Sequence, residues 1–210
     1  MQPDVNLKGI GETLAENTLK TKEPFPYAGM WLFSGSQGSG KTLLMMHLLK
    51  EIYEKCPDCI IVSNISIYGI PSIPYTGIEQ IINMHNGNKG IIFVIDEIQA
   101  LFNSLESKNM PLTMVQEWCQ NRKNRRLILG TSQIFSRIGK PIREQCTWNY
   151  HCRRNIFNIF YPYSVYDGSL YNDSGEYIGE NPAVNFYVPK VSVMRMYNTL
   201  EVVKRDNYNQ

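Results

Sequence analysis

One octapeptide limits what this chain can fold into more than anything else in it: Gly35-Ser36-Gln37-Gly38-Ser39-Gly40-Lys41-Thr42. A glycine followed after four residues by Gly-Lys-Thr has the spacing of a phosphate-binding loop, provided that a strand precedes it and a helix follows. Both flanks qualify. Gly29–Ser34 is a short apolar run suited to a buried strand, and Lys41–Lys55 carries Leu43, Leu44, Met46, Leu48, Leu49 and Ile52 at helical spacing. In such a loop the glycines let successive backbone N–H groups turn inward around phosphates, and the helix presents its positive end to the same anion. Residues 35–42 are therefore the expected cradle for ATP. Lys41 would bridge the β- and γ-phosphates, and the Thr42 hydroxyl would take one Mg²⁺ coordination position.

Further buried-strand candidates are Cys59–Ser63, which ends at Asn64, then Gly90–Ile95 and Leu127–Gln133; helices are predicted at Ile78–Met84 and Thr113–Lys123. Uninterrupted apolar strands alternating with helices require a mainly parallel sheet covered on both faces. The predicted fold class is thus α/β, a P-loop NTPase with a central sheet flanked by helices. The alternation stops near Cys152. Residues 156–210 are rich in Tyr and Phe and carry turn signals at Asp167-Gly168 and Asn172–Gly175, which predicts C-terminal β-hairpins laid on the main sheet. The expected division is an N-terminal arm at 1–28, with a helical stretch at Glu12–Lys20, an ATPase core at 29–155, and a β-rich extension at 156–210.

The apolar run Ile91–Ile95 leads straight into Asp96-Glu97, about 55 residues after Lys41. This puts two carboxylates at the C-terminal edge of a sheet, where loops gather ligands. Asp96 is suited to hold Mg²⁺ through water, and Glu97 to orient and deprotonate an attacking water. A nucleotide kinase needs no such glutamate, so the pair favours hydrolysis. Gln133, after Thr131 and Ser132 at the end of the next strand, is placed to sense the γ-phosphate. Arginines stand just before that strand, and one of them could cross a subunit boundary to neutralise transition-state charge.

Net charge is +2, but it is unevenly spread. Residues 1–119 hold 8 Lys/Arg against 12 Asp/Glu, while 120–210 hold 13 against 7. Between Arg122 and Arg154 nine basic residues meet a single acid, Glu144. Such a block can serve nucleic-acid phosphates or a γ-phosphate, or be a solvated face. Five irregularly placed cysteines make no disulfide framework. Cys56 and Cys59 have zinc spacing without a second pair, so they read as ordinary cysteines. No apolar run approaches the ~20 residues of a membrane span, and the N-terminus lacks the apolar block of a secretory signal. The expected location is cytoplasmic by default.

The order of these features resembles the FtsK–HerA superfamily of DNA-pumping ATPases: Gly35–Thr42, the strand ending at Asn64, Ile95-Asp96-Glu97, then an arginine-rich stretch running into Leu129-Gly130-Thr131-Ser132-Gln133 with Ile138 and Arg143 beyond. Its compact size is similar to the genome-packaging ATPases of small icosahedral viruses, and the Zot-like assembly ATPases of filamentous phages share much of the pattern. The resemblance implies ATP on residues 35–42, Mg²⁺ at Asp96, water activation by Glu97 and phosphate sensing by Gln133. It also implies a hexameric or pentameric ring around DNA, contacts with capsid or vertex proteins, and an arginine supplied in trans. Arg122 and Arg126 are the first candidates for that arginine, and Arg143 is the third. The expected function is ATP-driven translocation of a viral genome into a preformed capsid. The alternatives are a Zot-like assembly ATPase, a nucleotide kinase, or a nucleotide-gated scaffold.

Overall fold

A computed structural model describes residues 24–101, 120–157 and 159–198. The helices expected at Glu12–Lys20 and over most of Thr113–Lys123 lie outside these residues. In chain order the elements that position the site are β1 (Gly29–Ser34), α1 (Lys41–Lys55), β2 (Ile60–Ser63), β3 (Ile73–Pro74), α2 (Ile78–Asn83), β4 (Ile91–Ile95) and β5 (Arg126–Ser132). Then come α3 (Lys140–Arg143), β6 (Cys146–Cys152), β7 (Tyr161–Asp167), β8 (Asn185–Tyr187) and α4 (Val191–Met194).

The eight strands form one sheet in the order β3-β2-β4-β5-β1-β6-β7-β8. All pairings from β3 to β6 are parallel. Every residue of β4 and β5 is buried, because both faces are covered. The apolar runs nevertheless divide with the two-residue period of a strand. Phe33, Ile92, Val94, Leu127 and Leu129 pack with Leu44, Leu49 and Ile52 of α1 in one layer. Met30, Leu32, Ile91, Phe93, Ile95 and Ile128 form the other with Ile98, Ile138 and Ile142. Phe25 reaches the first layer from the N-terminal side, where its amide donates to the Asn88 carbonyl at 2.8 Å.

Two features depart from the sequence reading. β6 is a parallel partner of β1 that the sequence reading did not identify. Its buried residues are Cys146, Asn149 and Cys152: register with β1 slips between Met30 and Trp31, which sets Cys146 out of phase with Asn149, while Cys152 belongs to the other core layer. A bulge of this kind breaks the two-residue period. The Thr147 hydroxyl there accepts from the Met30 amide at 3.3 Å, so the irregularity leaves that N–H satisfied. Secondly, β7 and β8 do not lie across the sheet. They continue it edgewise as antiparallel strands.

Candidate functional site

β1 leads into the phosphate loop at the carboxyl edge of the sheet. Gly35 has φ +140, and a Cβ there would collide with the Cys152 carbonyl at the end of β6. The Gly35 amide donates to the Ser132 carbonyl at 3.2 Å, tying the loop to β5 as well. Gly40 caps α1 in the left-handed region, under the ring of Tyr161. No side chain caps this helix end, and its first turn contains no acid, so its positive dipole end carries no competing negative group. Lys41 folds back and donates from Nζ to the Ser36 carbonyl at 2.9 Å. Burial holds its pKa below the ordinary 10.5, against the opposing charges of Cys152, Asp96 and Glu97. The Ser39 hydroxyl is buried inside the loop with no hydrogen-bond partner among the described residues.

Strand order explains how the acids meet this loop. β5 lies between β1 and β4, so residues at its end bridge the loop and the acid pair. The Asp96 carboxylate oxygen Oδ1 accepts from the Thr42 hydroxyl at 3.0 Å and from the Thr131 hydroxyl at 2.7 Å. Thr131 Oγ1 in turn accepts from the Glu97 amide at 2.9 Å. From the end of β2, Asn64 clamps the Asp96 backbone twice: its Nδ2 donates to the carbonyl at 3.0 Å and its Oδ1 accepts from the amide at 2.8 Å. These bonds hold Glu97 in the left-handed region, φ 53 and ψ 51, a conformation costing a side-chain-bearing residue about 1–2 kcal/mol. Strain of this size persists only where surrounding contacts over-determine it. The Glu97 side chain is exposed, and Gln133 Nε2 donates to its Oε1 at 3.3 Å.

Burial raises the Asp96 carboxyl above its ordinary 3.8, with the Thr131 and Thr42 hydroxyls pulling it back. A carboxyl raised on folding holds its proton more tightly in the folded chain. Its contribution to stability is therefore complete below about 3.8 and lost as pH rises through the folded pKa. At neutral pH this charge costs the metal-free chain stability. Asp96→Asn keeps an oxygen to accept both hydroxyls, so its melting temperature without metal at pH 7 should exceed that of the natural chain by a few degrees. The gain should shrink as pH falls toward 4. Thermal melts across that range check this, and a lower melting temperature at pH 7 contradicts it.

The structure brings together Lys41, Thr42, Asp96, Glu97 and Gln133, but none of the three candidate arginines. Arg122 is exposed and precedes β5, at the opposite edge of the sheet from the loop. A strand of seven residues is ~20 Å long at ~3.3 Å per residue. Arg126 opens β5 at 1% exposure, with Nη2 donating to the Ile82 carbonyl at 3.4 Å. A side chain so enclosed cannot reach a neighbouring subunit, which removes it as the trans arginine. Arg143 donates to the carbonyls of Ser136 at 2.9 Å, Ile138 at 3.0 Å and Asp173 at 2.9 Å. It ties loops together and makes no hydrogen bond to Lys41, Thr42, Asp96, Glu97 or Gln133 among the described residues.

Asn64 and Thr131 are site residues that the sequence reading assigned no role. Their signal was position: each is a polar residue ending a buried apolar strand at the carboxyl edge. Tyr197 was also missed. It packs against the α1 layer, and its hydroxyl is pushed up to about 12, first by burial and then by the charge of Asp96.

A sequence profile of the ATPase family associated with various cellular activities (AAA) matches residues 31–154. No curated protein matches the chain. Among solved structures, the chain is similar to the N-terminal domain of zonular occludens toxin from Neisseria meningitidis, at 16% identity and a TM-score of 0.64, over 81% of this chain and 99% of that one. The genome packaging NTPase B204 from Sulfolobus turreted icosahedral virus 2 in complex with AMPPCP matches at 13% identity and a TM-score of 0.51, over 77% and 98%. The ATPase domain of G40P matches at 9% identity and a TM-score of 0.51, over 88% and 94%. At these identities the likeness is one of fold.

Proposed function

Because the chain belongs to the AAA ATPase family, and is thus an NTP-hydrolysing P-loop enzyme, we propose that it is a ring-forming, Mg²⁺-dependent ATPase that drives viral DNA into a capsid. The observation that carries the hydrolytic half is the Gln133–Glu97 contact at the end of β5, beside the phosphate loop. It supports a reading in which the exposed Glu97 carboxylate, held by Gln133, serves a lytic water. In this reading the backbone of Gly35, Ser36, Gln37, Gly38, Ser39 and Gly40 encloses the phosphates, and Lys41 turns from the Ser36 carbonyl to the β- and γ-oxygens.

Thr42 and Asp96 suit Mg²⁺, which takes hard oxygen ligands and relies on phosphates and water for most of its shell. The Thr42 proton already points to Asp96, leaving the hydroxyl lone pairs open. When bound, the ion supplies charge neutralisation at the β,γ-bridge. Glu97 takes the proton of the attacking water, and Gln133 orients both by its amide.

Support for the DNA half comes from the basic block 122–154 and from the fold shared with a protein named as a genome packaging NTPase. The larger TM-score to the zonular occludens toxin domain favours a second reading, a phage assembly ATPase. Among the described residues no helix is long and apolar enough to cross a membrane. Mass measurement of the assembled protein, with phosphate release followed with and without DNA, tests the proposal. A ring whose turnover rises with DNA, with binding that weakens steeply as salt rises, is expected. A monomer that transfers phosphate to a nucleoside, or turnover indifferent to DNA, contradicts it.

A further inference from the structure

A cleft of about 400 Å³ opens beside the phosphate loop at the carboxyl edge of the sheet. Gly35 and Gln133 join it to the loop and to Glu97, and Tyr166, Tyr171 and Tyr177 line it farther out. The tyrosines form an aromatic cluster: Tyr177 meets Tyr166 edge to face at 4.8 Å and Tyr171 at 5.2 Å. His151 also borders the cleft, with Nδ1 3.2 Å from the Ser34 hydroxyl and its ring edge-on to Tyr166 at 6.2 Å. Burial and the nearby Arg153 charge lower its pKa, so the imidazole is neutral at pH 7.

Two properties define what this cleft accepts. Among the described residues lining it there is no lysine, arginine, aspartate or glutamate, so no charged side chain draws a phosphate group into it. In its wall Asn149 is 2% exposed and donates from Nδ2 to the Tyr171 hydroxyl at 2.6 Å, while its Oδ1 has no partner among the described residues. An unpaired buried acceptor is costly and is relieved by an incoming N–H. Uncharged aromatic walls plus an acceptor awaiting a donor complement a flat nitrogen heterocycle, and the anion-binding loop adjoins them. We propose that this cleft binds a nucleobase.

The base can come from the nucleotide whose phosphates occupy the loop, in which case the inference rests on the nucleotide site proposed above, or from a nucleic-acid strand. In either case it would touch Gln133, the side chain that holds Glu97.

Photocrosslinking of the full chain with 8-azido-ATP and, separately, with an oligonucleotide carrying 5-iododeoxyuridine separates the two sources. Peptide mapping by mass should find the adduct on Tyr166, Tyr171 or Tyr177 with one of these probes. Tyr177→Ala, in an irregular segment, should weaken binding of that probe about 5- to 150-fold, the range for loss of one aromatic stacking partner. Binding of inorganic tripolyphosphate, which has no base, should be unchanged. Adducts confined to other residues with both probes, or unaltered probe affinity in Tyr177→Ala, overturn the proposal. Should that variant fail to fold, the crosslinking map alone decides. A natural chain that binds no tripolyphosphate defeats the phosphate-loop reading instead, and an oligonucleotide adduct in the cleft would still stand.

Discussion

Glu97→Gln should cut ATP turnover by on the order of 10²–10⁴-fold, the usual worth of a positioned general base, while Mg²⁺-ATP still binds. The substitution keeps the side chain's size and leaves an oxygen to accept from Gln133, so the contact at 3.3 Å survives. Only the ability to take a proton is lost. The backbone of residue 97 should also keep its left-handed turn, because that turn is held by the Thr131 hydroxyl and the Asn64 clamp on Asp96 and not by the glutamate side chain. Phosphate release measured alongside nucleotide affinity separates the two effects. Near-natural turnover in Glu97→Gln would remove this residue as the base, and loss of affinity with normal folding would mean that it binds nucleotide.

Gly35→Ala should damage the chain far more than Gly38→Ala, although both glycines belong to one loop. At Gly35 a Cβ would run into the backbone carbonyl of Cys152, and a strand end cannot swing aside as a flexible side chain can. The backbone there also has φ +140. Together these should cost at least about 3 kcal/mol, or ~6–12 °C in melting temperature for a chain of this size, and should abolish phosphate binding by displacing β6 from β1. Gly38 has φ +75 but nothing within 4 Å of its missing Cβ. Its substitution should cost only the ~1–2 kcal/mol of a left-handed side-chain-bearing residue. Calorimetry of both variants checks the ordering, and equal losses would mean that the contact with Cys152 is not what holds the loop.

These contrasts show which parts of the architecture local sequence can carry. Residues 91–95 could be read as a buried strand because five consecutive apolar residues leave no solvent face, and α1 because its leucines repeat with the helical period. The carboxyl-edge chemistry was readable in part for the same reason: a polar residue at the end of a buried strand stands at the edge, which found Asp96, although Asn64 after β2 and Thr131 near the end of β5 carried the same signal unused. The arginines were misjudged: Arg122 and Arg126, the first candidates for the trans arginine, come before β5, and in a parallel sheet that places them at the edge away from the phosphates. What local pattern could not supply was pairing. β6 carries Thr147, Trp148, Asn149 and His151, and becomes a strand because β1 and β7 flank it. Likewise Asn172–Gly175 does mark a turn between the bridged Tyr171 and Tyr177, but Asp167-Gly168 opens a 3-10 turn, and whether the C-terminal strands extend the sheet or cover it depends on the free edge of β6, more than 100 residues from the loop's own strand.

A crystal structure grown with Mg²⁺ and a non-hydrolysable ATP analogue tests the central claim most directly. The account predicts the β-phosphate within hydrogen-bonding reach of the amides of residues 36–41, the ion beside the Thr42 hydroxyl and the Asp96 carboxylate, and Glu97 facing the γ-phosphate with a water between them. An analogue bound away from residues 35–42, or a γ-phosphate with Glu97 turned from it, would contradict it.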